Sequence, residues 1–366
     1  MKFLSFLKRE PVLTVSAILA VISMLLVPPD GEYIGYFNLS VLAVLFCLML
    51  VVAALSGAGV LSALMSWLGG RIKTEKTLVI VLCLICFFTS ALITNDVALI
   101  TFVPFSLALL RGRSEKTIIF AVTMETVAAN LGSLITPIGN PQNLYLYTYF
   151  NMQPGEFFRI TLPLGGICLV LLMAVLFIFR GEREQLKAPE SRGELNRVQA
   201  VASGVLFVLC LLTVLRLVPW PVMLAVVLVA VLIMDKSLLR EADYILLLTF
   251  VCFFVFVGNA ARLSWVYDAV SAVLKGREIF VSAALSQVVS NVPAATMLSA
   301  FTGEARGLVI GTNIGGLGTL IASMASLISY RRIAAAGVSQ GRYIKVFTAI
   351  NFALLAVLGV IVWLLF

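Results

Sequence analysis

Apolar runs long enough to cross a bilayer recur along the whole chain, separated by short polar stretches. The hydrocarbon core measures about 30 Å and takes about 20 helical residues to cross. Runs of this kind lie at 11–28, 38–56, 117–136, 160–179, 198–217, 219–234, 244–258 and 343–366. Each predicts a membrane-spanning helix. Three stretches depart from that pattern. In 77–110 two apolar arms meet at Thr94, Asn95 and Asp96, and in 279–301 two shorter arms meet at Ser290, Asn291, Val292 and Pro293. A polar tip between apolar arms predicts a re-entrant helical hairpin. The stretch 306–330 is interrupted by Gly315, Gly316 and Gly318, which predicts a broken helix.

Each departure has a counterpart in the other half of the chain. The segment SALITNDVA (90–98) matches SQVVSNVPA (286–294), and NLGSLITPIGNPQNL (130–144) matches NIGGLGTLIASMASL (313–327). Each half also carries an amphipathic stretch before its hairpin, ending in Gly70-Arg71 and Gly276-Arg277. The expected architecture is an all-α polytopic membrane protein with two inverted repeats, each holding a re-entrant hairpin and a discontinuous transmembrane helix. The first repeat takes residues 1–179, a cytoplasmic linker 180–197, a connecting helix 198–217 and the second repeat 218–366.

Composition agrees with a lipid solvent. Soluble domains average about 45–50% apolar and about 25% charged residues. This chain of 366 residues is 61% hydrophobic and 12% charged, with a mean hydropathy of +1.09. The net charge of +8 reads as basic cytoplasmic loops rather than a nucleic-acid surface. With the N-terminus inside and both hairpins returning to the side they came from, twenty of the 26 lysines and arginines fall inside and six outside. The positive-inside rule favours that orientation. It places the C-terminus outside and makes the hairpins open to opposite faces. The run after the basic N-terminal residues has no small-residue cleavage site and reads as the first retained span.

The chain has no histidine, which removes Ser-His-Asp catalysis and histidine metal sites together. Intramembrane aspartyl proteolysis needs two aspartates within the spans, and only one is present. An enzyme is therefore not expected. The six cysteines all lie in apolar segments, and Cys83-x-x-Cys86 reads as helix packing.

Breaking a helix in lipid leaves peptide groups unpaired at several kcal/mol each. Such breaks survive where protein, water or a ligand satisfies them. Free N–H groups suit an anion, and free carbonyls with side-chain oxygens suit sodium or a proton carrier. The candidate substrate-binding residues are accordingly Thr94, Asn95, Asn130, Thr136, Asn140, Ser290, Asn291, Thr296, Asn313 and Thr319. Asn140 before Pro141 reads as a helix N-cap with proline at the first helical position. Of the 18 acidic residues, only Asp96 and Glu125 lie deep within predicted spans. A mid-membrane charge costs about 2.5–3.5 kcal/mol on insertion scales. Asp96 and Glu125, with Asn95, Asn291, Gly132 and Gly315, are the candidates for binding a coupling ion or proton. Their acidity sits awkwardly beside an anionic substrate and favours coupled cation binding or a cationic substrate.

The TNDVAL segment (94–99) and the NLGSLITPIGNPQN segment (130–143) resemble the ion transporter superfamily. That group holds divalent anion/sodium symporters, bacterial citrate transporters, arsenite exporters and some sodium/proton antiporters. The likeness is nearest to a bacterial inner-membrane branch of anion transporters and covers nearly the whole chain. It implies scaffold helices around a mobile transport unit, in a homodimer. In the symporter branch Ser-Asn-Thr motifs at the hairpin tips bind carboxylate and sodium. The matching residues here are Thr94-Asn95-Asp96 and Ser290-Asn291-Val292, so an acid and a valine replace the third position. Thr296, one turn on, is the candidate substitute for the missing hydroxyl at Val292.

The expected function is secondary active transport of a small anion, a carboxylate or inorganic oxyanion, coupled to sodium or protons by alternating access. The alternatives are sodium/proton antiport and metalloid (arsenite) efflux. No cofactor is expected beyond Na+ or H+.

Overall fold

The computed structural model describes residues 10–60, 63, 74–179 and 195–365, and among these no β-strand occurs. Most of the 180–197 linker, the Gly70-Arg71 end of the first amphipathic stretch and the basic N-terminal residues lie outside the described residues. The predicted spans appear as helices α1 (Pro11–Leu26), α3 (Leu39–Gly57), α6 (Glu115–Ser133), α8 (Pro154–Ile178), α9 (Arg197–Val214), α10 (Trp220–Met234), α11 (Tyr244–Arg262) and α17 (Gln340–Leu365), with a short α2 (Tyr33–Tyr36) after the first. Six described helices are long and apolar enough to cross a membrane: α3, α8, α9, α11 and α17 of these, and Glu75–Ile93, which the sequence assigns to a hairpin arm. Helix starts follow capping chemistry: Asn38, Ser114, Asn196 and Asp243 each accept an amide three residues on.

The two predicted hairpins are α4 (Glu75–Ile93) with α5 (Asn95–Leu109), and α13 (Glu278–Val289) with α14 (Asn291–Ser299). Their tips are tighter than the sequence suggests. A single residue breaks each hairpin, Thr94 at φ 84°, ψ 147° and Ser290 at φ 79°, ψ 156°. Asn95, Asp96 and Asn291 are already helical. That backbone region is close to glycine-only and costs about 1–3 kcal/mol for other residues.

The broken helices are α6 followed by α7 (Pro141–Tyr149), and α15 (Ala305–Ile314) followed by α16 (Met324–Ala335). The first half-helix ends at Ser133, three residues before the expected Thr136. An amphipathic α12 (Ser264–Leu274) precedes the second hairpin.

Packing repeats between the halves. Hairpin arm α4 packs on α6, and α13 on α15. The other arms cross over: α5 packs against α16 of the second half, and α14 against α7 of the first. Lipid offers no hydrophobic drive for helix association, so close backbone approach over small residues does the work. A β-carbon on Gly132 would lie 1.9 Å from the Phe87 carbonyl oxygen and 2.6 Å from Ser90 Oγ. One on Gly315 would lie 2.7 Å from Ala283 Cα and 2.9 Å from Ser286 Oγ. These are the residues that the sequence repeat pairs.

Polar contacts at the ends join loops that the charge map groups together. Arg113 pairs with Glu75, Arg342 with Glu115, and Lys76 donates to the Phe177 carbonyl. At the other end Arg262 pairs with Asp30 and Glu32, and Arg216 donates to the Asn151 carbonyl. The Arg262 guanidinium holds the Asp30 carboxyl below its ordinary range. Hydrogen bonds from Ser237 do the same for Asp235.

Candidate functional site

The two helix breaks meet. Asn130, in the last turn of α6, accepts a hydrogen bond from Ser323 Oγ at 3.0 Å; Ser323 is the N-cap of α16. Asn313, in the last turn of α15, accepts one from Asn140 Nδ2 at 3.0 Å; Asn140 is the N-cap of α7. Each half thus offers its N-cap residue to the asparagine of the other half.

Each hairpin tip is tied to the break of its own half by matched bonds. Asn95 N–H donates to the Gly139 carbonyl at 3.0 Å, and Asn291 N–H donates to the Ala322 carbonyl at 2.9 Å. The hydroxyl of Thr136 donates to the Ala91 carbonyl, and that of Thr319 to the Gln287 carbonyl at 3.0 Å. Asn95 Nδ2 also reaches Asn130 Oδ1 at 3.1 Å. Asn291 Nδ2 lies 3.0 Å from where a β-carbon on Gly316 would stand.

Sequence reasoning listed neither Asn143 nor Gln287 as site residues, yet these two amides close the open backbone. In the first half Asn143 Nδ2 lies 3.4, 3.2 and 3.2 Å from the carbonyls of Ser133, Leu134 and Thr136. In the second half Gln287 Nε2 donates to the Gly315 and Leu317 carbonyls, both at 2.9 Å, while its Oε1 accepts Thr319 N–H at 2.9 Å. The repeat pairs Gln287 with Ala91 and Asn143 with Ser326, so each half fills its break from a different element. A lone amide within an apolar helix arm, one turn before the tip, was the available signal for Gln287.

Asn95, Asn130, Asn140, Ser290, Asn291 and Asn313 are all buried around one junction. Thr296 is also buried, but its hydroxyl bonds back to the Val292 carbonyl of its own helix at 3.0 Å. Gly132 and Gly315 lie at close helix contacts, and the Gly315 carbonyl is the acceptor for Gln287.

Asp96 stands in the first turn of α5, where the helix N-terminus favours negative charge. Its Oδ1 is buried and finds no hydrogen-bond partner. Glu125 is fully buried, about 7.5 Å along α6 from Asn130 by helical rise. Ser106 of α5 donates to its Oε1, and its Oε2 has no partner. The junction is therefore built of amides and hydroxyls, groups that both donate and accept, with one acid at its edge. None of the side chains bonded together there is lysine or arginine.

Comparison with known proteins agrees with a transporter. The family described as citrate transporter matches residues 4–306. An uncharacterized transporter of Methanocaldococcus jannaschii is 33% identical over 284 residues, covering 75% of this chain and 76% of the relative. The inner membrane protein YbiR of Escherichia coli is 30% identical over 292 residues, covering 78% and 77%. The silicon efflux transporter LSI3 of Oryza sativa subsp. japonica is 28% identical over 196 residues, covering 52% of this chain and 40% of that protein.

Proposed function

The chain belongs to the citrate transporter family, and on that premise we propose that it is a secondary active transporter of a small anion, a carboxylate or inorganic oxyanion. Sodium or protons drive it, and the two halves act as inverted repeats with re-entrant hairpins that expose one shared site to each face in turn. It works as a homodimer in the cytoplasmic membrane, N-terminus inside and C-terminus outside. The observation that carries this reading is the reciprocal pairing of Asn130 with Ser323 and Asn140 with Asn313. Two interruptions from distant parts of the chain share one set of ligands, and those ligands are paired with one another. A solute that replaces these pairings exchanges hydrogen bonds rather than creating unpaired groups.

The test is tracer uptake into proteoliposomes across a panel of anions, with sodium and pH gradients varied independently. Uptake is expected for at least one anion, driven by one of the gradients, and lost in Asn95→Ala and Asn291→Ala. Activity that survives both substitutions sinks the site assignment.

A second reading is efflux of an uncharged hydroxylated solute such as a metalloid acid. It is favoured by the balanced amide and hydroxyl character of the junction, whose bonded side chains include no cation to hold an anion. Relatives named for silicon efflux and as a putative transporter arsB point the same way. Adding arsenite and silicic acid to the panel separates the two. Sodium/proton antiport, the third reading, requires the acids: exchange that persists in the Asp96→Asn, Glu125→Gln double variant removes it.

A further inference from the structure

Thr123 Oγ1 and Glu125 Oε2 of α6, Ser326 Oγ of α16 and Tyr343 OH of α17 are buried side-chain oxygens without a hydrogen-bond partner. All four residues are fully buried. Unpaired polar atoms in a membrane interior are costly and call for an occupant.

Their arrangement follows from the packing of α6, α16 and α17. Asn130 meets Ser323 and Thr126 meets Ser329, at 3.0 and 2.7 Å. Numbers fall along α6 as they rise along α16, so the two helices run antiparallel. On α6, Thr123, Thr126 and Asn130 share a face at helical spacing, and on α16 Ser323, Ser326 and Ser329 do the same. The result is a polar seam that starts at the asparagine junction and runs toward the end where Glu115 pairs with Arg342. Tyr343 of α17 lies beside the Thr126–Ser329 pair and within electrostatic range of Glu125.

Glu125 borders the seam, and among the described residues no cation forms an ion pair with it. Ser106 of α5 donates to it, and Cys83 and Cys86 of α4 and Tyr343 of α17 lie within electrostatic range. The basic residues Arg331 and Arg332 of α16, and Arg342 and Lys345 of α17, are exposed. A carboxyl with a single donor and no counter-ion is stable there with a proton bound.

We propose that Glu125 is the proton-binding group of the transport cycle and that the hydroxyls of Tyr343, Ser329, Thr126 and Ser326 form its path to the asparagine junction. The proposal rests on the reading of the chain as a coupled transporter and selects the proton over sodium. Each transfer is balanced: one O–H bond forms as another breaks, every hydroxyl accepts a proton and releases its own, and nothing is oxidised. Small rotations or a water molecule held by the unpaired oxygens complete the links.

The test is infrared spectroscopy on the full chain in liposomes. A protonated-carboxyl band is expected in the wild type and absent in Glu125→Gln. Glu125→Asp keeps the acid and shifts the band, and it serves should the glutamine variant fail to fold. Transfer into D2O moves the band as the proton exchanges. Tyr343→Phe combined with Ser326→Ala is expected to slow that exchange roughly a hundredfold, the lower end of what a positioned proton carrier contributes. Ser203→Ala, at a buried hydroxyl of α9, is expected to leave it unchanged.

The absence of a Glu125-dependent protonated band overturns the proposal whether or not any solute is transported. Exchange indifferent to Tyr343→Phe and Ser326→Ala overturns the path. Uptake driven by a sodium gradient and untouched by a pH gradient also overturns it while leaving the transporter reading intact. A failure of that reading shows differently, as no uptake of any solute under either gradient beside an intact infrared result.

Discussion

Asn130 Oδ1 accepts the Ser323 hydroxyl at 3.0 Å although 193 residues separate the two. The equivalent bond, Asn140 to Asn313, spans 173 residues at the same length. Neither partner is close in sequence to the other, and all four side chains are buried. These two bonds hold the broken helices of the two halves against each other.

Removing one member leaves a buried group unpaired. Asn313→Ala removes the donor to Asn143 Oδ1 and one acceptor of Asn140 Nδ2, which keeps its bond to Ser133 Oγ. A loss of about 1–3 kcal/mol per orphaned group is expected, read as a lower unfolding temperature in detergent. Asn140→Ala together with Asn313→Ala should cost less than the sum of the single changes. Strict additivity would show that the bond does not form.

Gln287→Leu keeps the volume and deletes three cross-element bonds to the Gly315, Leu317 and Thr319 backbone. The predicted penalty is about 3–5 kcal/mol, since several buried backbone groups lose partners together. Gln287→Glu keeps the acceptor for Thr319 N–H but turns a carboxylate oxygen toward two carbonyls. Its stability should therefore improve on acidification, when the added acid takes up a proton. A denaturation series at several pH values checks both.

Thr94 and Ser290 hold backbone angles suited to glycine. Thr94→Gly and Ser290→Gly should each relieve about 1–3 kcal/mol of strain, offset in part by the greater freedom of glycine in the unfolded chain. Raised or unchanged thermal stability is the expected outcome. A marked drop would mean that the hydroxyls contribute more than the strain removes.

Gly132→Ala places a methyl group 1.9 Å from a backbone oxygen of α4, whereas Gly166 faces open space. Gly132→Ala should destabilise by several kcal/mol through displacement of α4 from α6, and Gly166→Ala should be silent. Comparing folded yield after solubilisation distinguishes them.

Asp30 carries a carboxyl depressed below 3.8, chiefly by the Arg262 side-chain hydrogen bond. A depressed carboxylate stabilises the fold above its unfolded value, and the contribution is lost as pH falls through the folded value. The wild type should therefore lose a small increment of stability below pH 3.8 that Asp30→Asn lacks. The group is fully exposed, so the increment is small and shrinks further in salt.

The sequence by itself determined that the described chain is helical and apolar and where polar residues interrupt its helices. The reason is that lipid tolerates little else: apolar length fixes a span, and Asn, Thr, Gly and Pro at matching depths mark where backbone is left open. The Asn140-Pro141 cap was legible for the same local reason. What the sequence left undecided was which groups close those openings. Asn130, Asn140, Asn313 and Ser323 are paired by contacts across some 170 to 190 residues, and no local signal encodes a partner at that range. Thr296 could be proposed as a ligand from its position, but the fold turns its hydroxyl back onto Val292. Gln287 read as one polar residue on an apolar arm until packing set it against two carbonyls of another helix. Local hydrogen-bond demand is written in the chain, and its satisfaction is decided only by the helices that tertiary packing brings alongside.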